Sequence, residues 1–99
     1  MSKNHLSDLE RTVNLFKIYS DYTRLRIIDL LSKAEHCVQE ISLALDTSQS
    51  AISHQLKQLR DNNVVSARKE GKQVFYSLKD NHVKEIFLTA YSHITECDD

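Results

Sequence analysis

The segment Thr47–Leu78, TSQSAISHQLKQLRDNNVVSARKEGKQVFYSL, changes its hydrophobic period halfway along. Up to about Asn62 the apolar residues Ile52, Leu56 and Leu59 recur at helical spacing, while Gln49, Ser50, Ser53, His54 and Lys57 turn elsewhere. From Val64 the period is two. Val64 to Arg68 and Gln73 to Leu78 are rich in Val, Phe and Tyr, residues that suit a pleated, half-buried surface. Between them Lys69-Glu70-Gly71-Lys72 holds the sequence's one glycine, placed where a hairpin asks for positive φ. The stretch therefore predicts a helix followed by a β-hairpin.

Upstream, Val38 to Leu45 repeats Ile41, Leu43, Ala44 and Leu45 as a short helix. It stops at Asp46-Thr47-Ser48, where Thr47 or Ser48 can cap the next helix by accepting its free N–H groups. Two helices joined by a tight polar turn predict a helix-turn-helix, and the hairpin after it makes the unit a winged helix. Further back, Ser7 with Glu10 fits a capping box for a helix to about Ser20, whose Leu9, Val13, Leu15, Phe16 and Tyr19 form an apolar stripe. Asp21 can cap a second helix, carrying Leu25, Ile28, Leu30 and Leu31 to about Lys33. After the hairpin a last helix from about Asp80 places Val83, Ile86, Phe87, Ala90, Ile94 and Cys97 at helical spacing. The expected architecture is mainly α with a small hairpin, in the order α-α-α-α-β-β-α.

Composition agrees with this. Zero prolines and one glycine leave little to interrupt regular structure. Ninety-nine residues, 40% hydrophobic and 27% charged, predict one ordinary globular domain with a modest core, so pairing with a second copy is expected. With neither a long apolar run nor a signal-peptide pattern, a cytoplasmic protein is expected, without a membrane partner. Cys37 and Cys97 lack CxxC spacing and predict reduced thiols. No nucleophile beside a base and no phosphate-binding glycine loop can be read, which speaks against an enzyme and against a small-molecule substrate.

The formal charge of −1 conceals a segregation. From His54 to Lys79 six basic residues (Lys57, Arg60, Arg68, Lys69, Lys72, Lys79) face two acids, Asp61 and Glu70. From Asp80 onward five acids face only Lys84. One surface therefore suits a polyanion. The residues for double-stranded DNA are Gln49, Ser50, Ser53, His54 and Lys57 at the head of the second helix of the motif. Arg68, Lys69 and Lys72 on the hairpin would add phosphate or minor-groove contacts.

The chain resembles the ArsR/SmtB family of metal-responsive bacterial repressors over nearly its full length. The resemblance rests on SDYTRLRIIDLLS (Ser20 to Ser32), HCVQEISLAL (His36 to Leu45), TSQSAISHQLKQLRDNNVV, RKEGKQVFYSL and the closing DNHVKEIFLTAYSHITEC. It implies a homodimer, joined through the first and last helices, that holds an inverted-repeat operator when metal-free and releases it when metal binds. Many relatives carry two cysteines in an ELCVCDL motif; here the stretch reads EHCVQEI, with Gln39 in place of the second thiolate and Glu40 where an aspartate is usual. A thiolate site for cadmium, lead or arsenic is therefore not carried over. Cys37 reads as a small core residue, with a vestigial second metal site (Cys37, Glu40, His36 and His5) as the alternative.

The closing helix has its own pattern. His82 and His93 are eleven residues apart, so they share a face to within about 20° yet lie ~16 Å apart, too far for one ion. Glu96 follows His93 by one turn, and Asp80 at the helix cap can turn toward His82. Two such helices packed antiparallel across a twofold axis would bring Asp80 and His82 of one chain to His93 and Glu96 of the other. Two imidazoles and two carboxylates in a tetrahedron suit Zn(II), with Co(II) as a substitute, and leave no open position for hydrolytic water. The same positions match the family's interfacial zinc site. Two rivals stand beside the zinc-responsive repressor. One is a repressor of the same fold responding to cobalt, nickel, cadmium or oxidation of Cys37 or Cys97; the other is a zinc-stapled protein-interaction module.

Overall fold

The structure is a computed structural model that describes residues 7–96. His5 and Cys97, named above as a metal ligand and a reactive thiol, lie outside the described residues. The elements are α1 (Asp8–Tyr19), α2 (Tyr22–Leu31), β1 (His36–Cys37), α3 (Val38–Leu45), α4 (Gln49–Asp61), β2 (Val65–Glu70), β3 (Gln73–Leu78) and α5 (Asn81–Glu96).

Local chemistry sets the helix starts. Ser7 Oγ accepts from Glu10 N at 3.1 Å while Glu10 Oε1 accepts from Ser7 N at 2.8 Å, the reciprocal capping box the sequence predicts. Asp21 caps α2 by accepting from Arg24 N at 3.0 Å. At α4 the choice between Thr47 and Ser48 falls to Ser48, whose hydroxyl accepts from Ala51 N at 3.2 Å. Thr47 instead donates its hydroxyl to Leu45 O at 3.1 Å. The turn before it is closed by Asp46 in the left-handed region at φ 53°, a conformation that Asp tolerates because its short polar side chain bonds locally.

The wing differs from expectation in two ways. The connection is two residues long, Gly71-Lys72, because Glu70 pairs with Gln73 and Lys69 with Val74. Gly71 takes φ +63° at the first position, the place where a two-residue turn of this hand needs a residue without a Cβ. The second difference is a third strand, β1, which pairs antiparallel with β3 through His36 opposite Tyr76 and Cys37 opposite Phe75. The sheet order is β1-β3-β2. A two-residue strand carries no periodicity, so the sequence gives no signal for it.

The core forms where α2, α3 and α4 meet the base of the wing and the start of α5. Ile27, Ile28, Ile41, Ile52, Leu56, Leu59, Val64 and Val65 are fully buried, each stabilising the fold by about 1.5–3 kcal/mol relative to exposure. Ile52, Leu56 and Leu59 lie on one stripe of α4, which leaves its other side for solvent. Cys37 is 8% exposed, in keeping with the core reading of that thiol.

Candidate functional site

Two faces of the molecule carry chemistry. On the first, Gln49 in the first turn of α4 and Ser50, Ser53, His54 and Lys57 after it are all exposed. Lys57 Nζ lies 3.0 Å from Asp61 Oδ2, one turn further on. The turn that aims α4 is held from α2 as well: Arg26 Nη2 donates to Leu45 O at 3.0 Å, and its guanidinium stacks over Tyr22 at 5.3 Å from the ring centroid. Lys69 and Lys72 are exposed at the wing tip.

Arg68 is placed differently from its two neighbours. Its guanidinium is bonded to Glu35 and to Glu70 and lies 5.1 Å from the centroid of Phe75. Hydrogen bonding from Arg68 holds the Glu35 carboxyl below the usual carboxylate range. In this arrangement Arg68, though exposed, is ion-paired and ties the wing to the α2–β1 loop, while Lys69 and Lys72 stand exposed at the wing tip. Phe75 and Tyr76 serve packing, Phe75 under Arg68 and Tyr76 against the core.

The second face is α5. Asp80 stands just before the helix and caps it, Oδ1 accepting from Val83 N at 3.1 Å. Its Oδ2 is 3.6 Å from His82 Nδ1. One carboxylate oxygen thus orders the helix start and the other faces the imidazole, close enough for one ion to meet both at bonds of about 2.0–2.2 Å. Three turns along, His93 and Glu96 line one shallow surface hollow with Leu88, Thr89 and Ser92. Among the described residues no three His, Cys, Asp or Glu side chains of one chain gather to hold an ion. The structure brings together Asp80 with His82, and His93 with Glu96, but not the two pairs.

Cys37, His36 and Glu40 are engaged internally. Glu40 Oε1 accepts from Cys37 N at 3.1 Å and lies 3.3 Å from His36 Nδ1. The backbone N–H of Cys37, ahead of His36, holds the Glu40 carboxyl low. This cluster serves as the opening of α3.

A third feature is apolar. Leu9, Val13 and Phe16 on α1 and Leu88, Tyr91 and Ile94 on α5 are exposed, Phe16 by 55% and Ile94 by 63%. Between them a groove is lined by Phe16, Tyr19, Leu25, Phe87, Tyr91 and Ile94. Side chains of this size at a helix–helix seam mark a surface built to be covered.

Sequence reasoning missed the residues that brace α4 from behind. Arg24 Nη1 donates to Gln58 Oε1 at 3.0 Å, and Gln58 Nε2 lies 3.3 Å from His54 Nε2. Arg24 and Gln58 are 34 positions apart, and nothing in their local patterns links them.

An exposed polar helix following a tight turn, braced from α2 and flanked by a cationic two-stranded wing, defines a winged-helix DNA-binding protein. The family model for bacterial regulatory proteins of the arsR family matches residues 21–67. The chain is 37% identical over 93 residues to the transcriptional repressor SmtB homolog of Synechocystis, covering 94% of this chain and 70% of that protein. To the cadmium resistance transcriptional regulatory protein CadC homolog of Staphylococcus aureus it is 40% identical over 83 residues, covering 83% and 69%. Among solved structures, the homodimeric winged helix-turn-helix DNA-binding domain from Mycobacterium bovis superposes with a TM-score of 0.80 at 26% identity, over 95% of each chain. The chain belongs to the ArsR/SmtB family of winged-helix regulators. Members of this family are DNA-binding transcriptional regulators and not enzymes. No helix among the described residues is long and apolar enough to cross a membrane.

Proposed function

We propose that this protein is a zinc-responsive transcriptional repressor whose metal-free homodimer binds operator DNA and whose Zn(II)-loaded form releases it, freeing genes for metal efflux or sequestration. The observation that carries the reading is the division of α5 into two half-sites, Asp80 with His82 at its start and His93 with Glu96 at its end. Each half supplies one imidazole and one carboxylate on exposed side chains. Two antiparallel copies of α5 complete two equivalent N2O2 sites, a donor set that fits zinc or cobalt better than a soft thiophilic ion. The exposed apolar seam of α1 and α5 is what such a pairing buries.

When bound, the ion supplies a crosslink between the two copies of α5. The chain's part is to make that crosslink matter at the DNA. Val83 and Phe87 of α5 are buried in the same core as Ile52, Leu56 and Leu59 of α4, so a change in how the two copies of α5 meet would be passed through that core to α4. A dimer geometry that no longer sets both copies of α4 into successive major grooves lowers affinity, and by linkage DNA lowers zinc affinity by the same factor, ~1–3 kcal/mol.

The test is a fluorescence titration of a labelled duplex, selected from random DNA by the metal-free protein, with and without Zn(II). Weaker binding in zinc is expected. Equal affinity in both rejects the sensing role, and release by cadmium or a thiol oxidant but not by zinc moves the signal elsewhere.

A further inference from the structure

The hydrogen bonds behind α4 have a fixed direction. Arg24 is anchored away from the DNA-facing surface by donating Nε to Ile18 O at 3.1 Å, and its Nη1 reaches Gln55 Oε1 at 3.4 Å and Gln58 Oε1 at 3.0 Å. A guanidinium can only donate, so the atom of Gln58 that meets Arg24 is its carbonyl oxygen. The other end of the amide is then NH2, also a donor, and it faces His54 Nε2 at 3.3 Å. A ring nitrogen that meets a donor must offer a lone pair. An N–H at Nε2 would point at the amide's own hydrogens, so the proton of neutral His54 belongs on Nδ1.

We propose that Arg24, acting through Gln58, fixes His54 as the Nδ1–H tautomer and thereby makes it a hydrogen-bond donor to DNA, selecting a base edge that offers an acceptor. The inference rests on the reading of α4 as the DNA-facing helix. Arg24 and Gln58 are positioning residues; His54, exposed one turn before Gln58, is the contacting one. In the major groove the acceptors are guanine O6 and N7, adenine N7 and thymine O4, whereas cytosine offers the N4 amino donor. The relay therefore disfavours cytosine at the position His54 reaches. Without it both neutral tautomers are open, and the same histidine could accept from cytosine as well as donate to guanine.

The experiment has two arms. Histidine-selective 15N spectra of the DNA-free protein at about pH 8, where free imidazole is neutral, report the tautomer of His54 directly. The wild type is expected to show a pyridine-type Nε2 and a pyrrole-type Nδ1. In Gln58→Glu the carboxylate still accepts from Arg24 but offers a second acceptor to His54, so the proton is expected at Nε2. A protonated Nε2 in the wild type, or an unchanged pattern in a folded Gln58→Glu, overturns the proposal; should that variant not fold, the wild-type spectrum decides. In the second arm, sequences are selected from a random duplex pool by wild type, His54→Ala and Gln58→Glu. His54→Ala is expected to lose about tenfold discrimination at one position of each half-site, and Gln58→Glu to shift its preference toward cytosine at that same position. Changes at different positions overturn the proposal. The expected spectrum with no sequence-selective binding by the wild type rejects the reading of α4 and leaves the relay standing.

Discussion

The hydroxyl of Tyr19 donates to the carbonyl of Val83 at 2.9 Å, joining the end of α1 to the first turn of α5 across 64 positions of sequence. The N–H of the same Val83 is capped by Asp80. One residue is thus held on one side by the helix that carries the exposed apolar stripe and on the other by a metal-ligand candidate. Burial, and then the nearby charge of Asp80, push the Tyr19 phenol up to about 12.

Tyr19→Phe removes this bond while keeping the ring in the core, and should destabilise the fold by about 0.5–1.5 kcal/mol in urea unfolding. The alkaline limb gives a second readout. A phenol whose folded pKa is raised contributes its stability in full below the unfolded value of about 10 and loses it as pH rises through about 12. Two units correspond to ~2–3 kcal/mol, so wild-type stability should fall between pH 10 and 12 more steeply than that of Tyr19→Phe. Parallel curves for the two proteins would refute it.

Phe16→Glu places a charge in the apolar seam of α1 and α5, at a side chain 55% exposed in the single chain. The monomer's fold and far-ultraviolet dichroism should persist, because little of the core is touched. Sedimentation should show the dimer weakened by at least about tenfold, since burying an unpaired carboxylate costs several kcal/mol. Zinc and operator affinity should fall with it. An unaltered dimer would move the interface elsewhere.

On the proposed reading, His93→Ala removes one ligand from each zinc site that two copies of α5 would form. Zinc stoichiometry by calorimetry should fall from two ions per dimer toward none at micromolar metal, with metal-free operator affinity within about twofold of wild type. His82→Ala should behave alike, because in the proposed antiparallel pairing the two histidines would complete the same site from opposite copies. If only one of the two variants lost zinc, the antiparallel arrangement would be wrong.

Lys69→Gln and Lys72→Gln act at the exposed wing tip, and each removes a cation from both copies of a dimer. Operator affinity should drop for all sequences equally, and the slope of log K against log salt should shrink by about 2 per dimer for each lysine that meets a phosphate. Arg68→Gln should act differently: the partners it loses are Glu35 and Glu70, so the effect should appear as a loosened wing in hydrogen exchange at β2 and β3. An Arg68→Gln variant that changed only the salt slope would place that guanidinium on the phosphates instead.

Much of this protein was legible in the chain because its signals are local. Spacing of Ile52, Leu56 and Leu59 gave the α4 face, Ser7 with Glu10 gave a helix start, and Gly71 gave the turn of the wing, since periodicity, capping and positive φ act over a few residues. The order of helices and hairpin, and with it the winged-helix class, followed from those signals alone. The tertiary structure decided what depends on partners distant in sequence. It paired His36 and Cys37 with β3, tied Arg68 to Glu35 across the surface, and set Arg24 behind Gln58 and His54. Hydrogen bonds and ion pairs of that kind form wherever the packed backbone brings donor to acceptor, and a local pattern carries no record of which distant group will arrive. The two proposed half-sites of α5 belong to both accounts: helical spacing separates His82 from His93 by a length no single ion can span, and the folded structure leaves both of those side chains exposed.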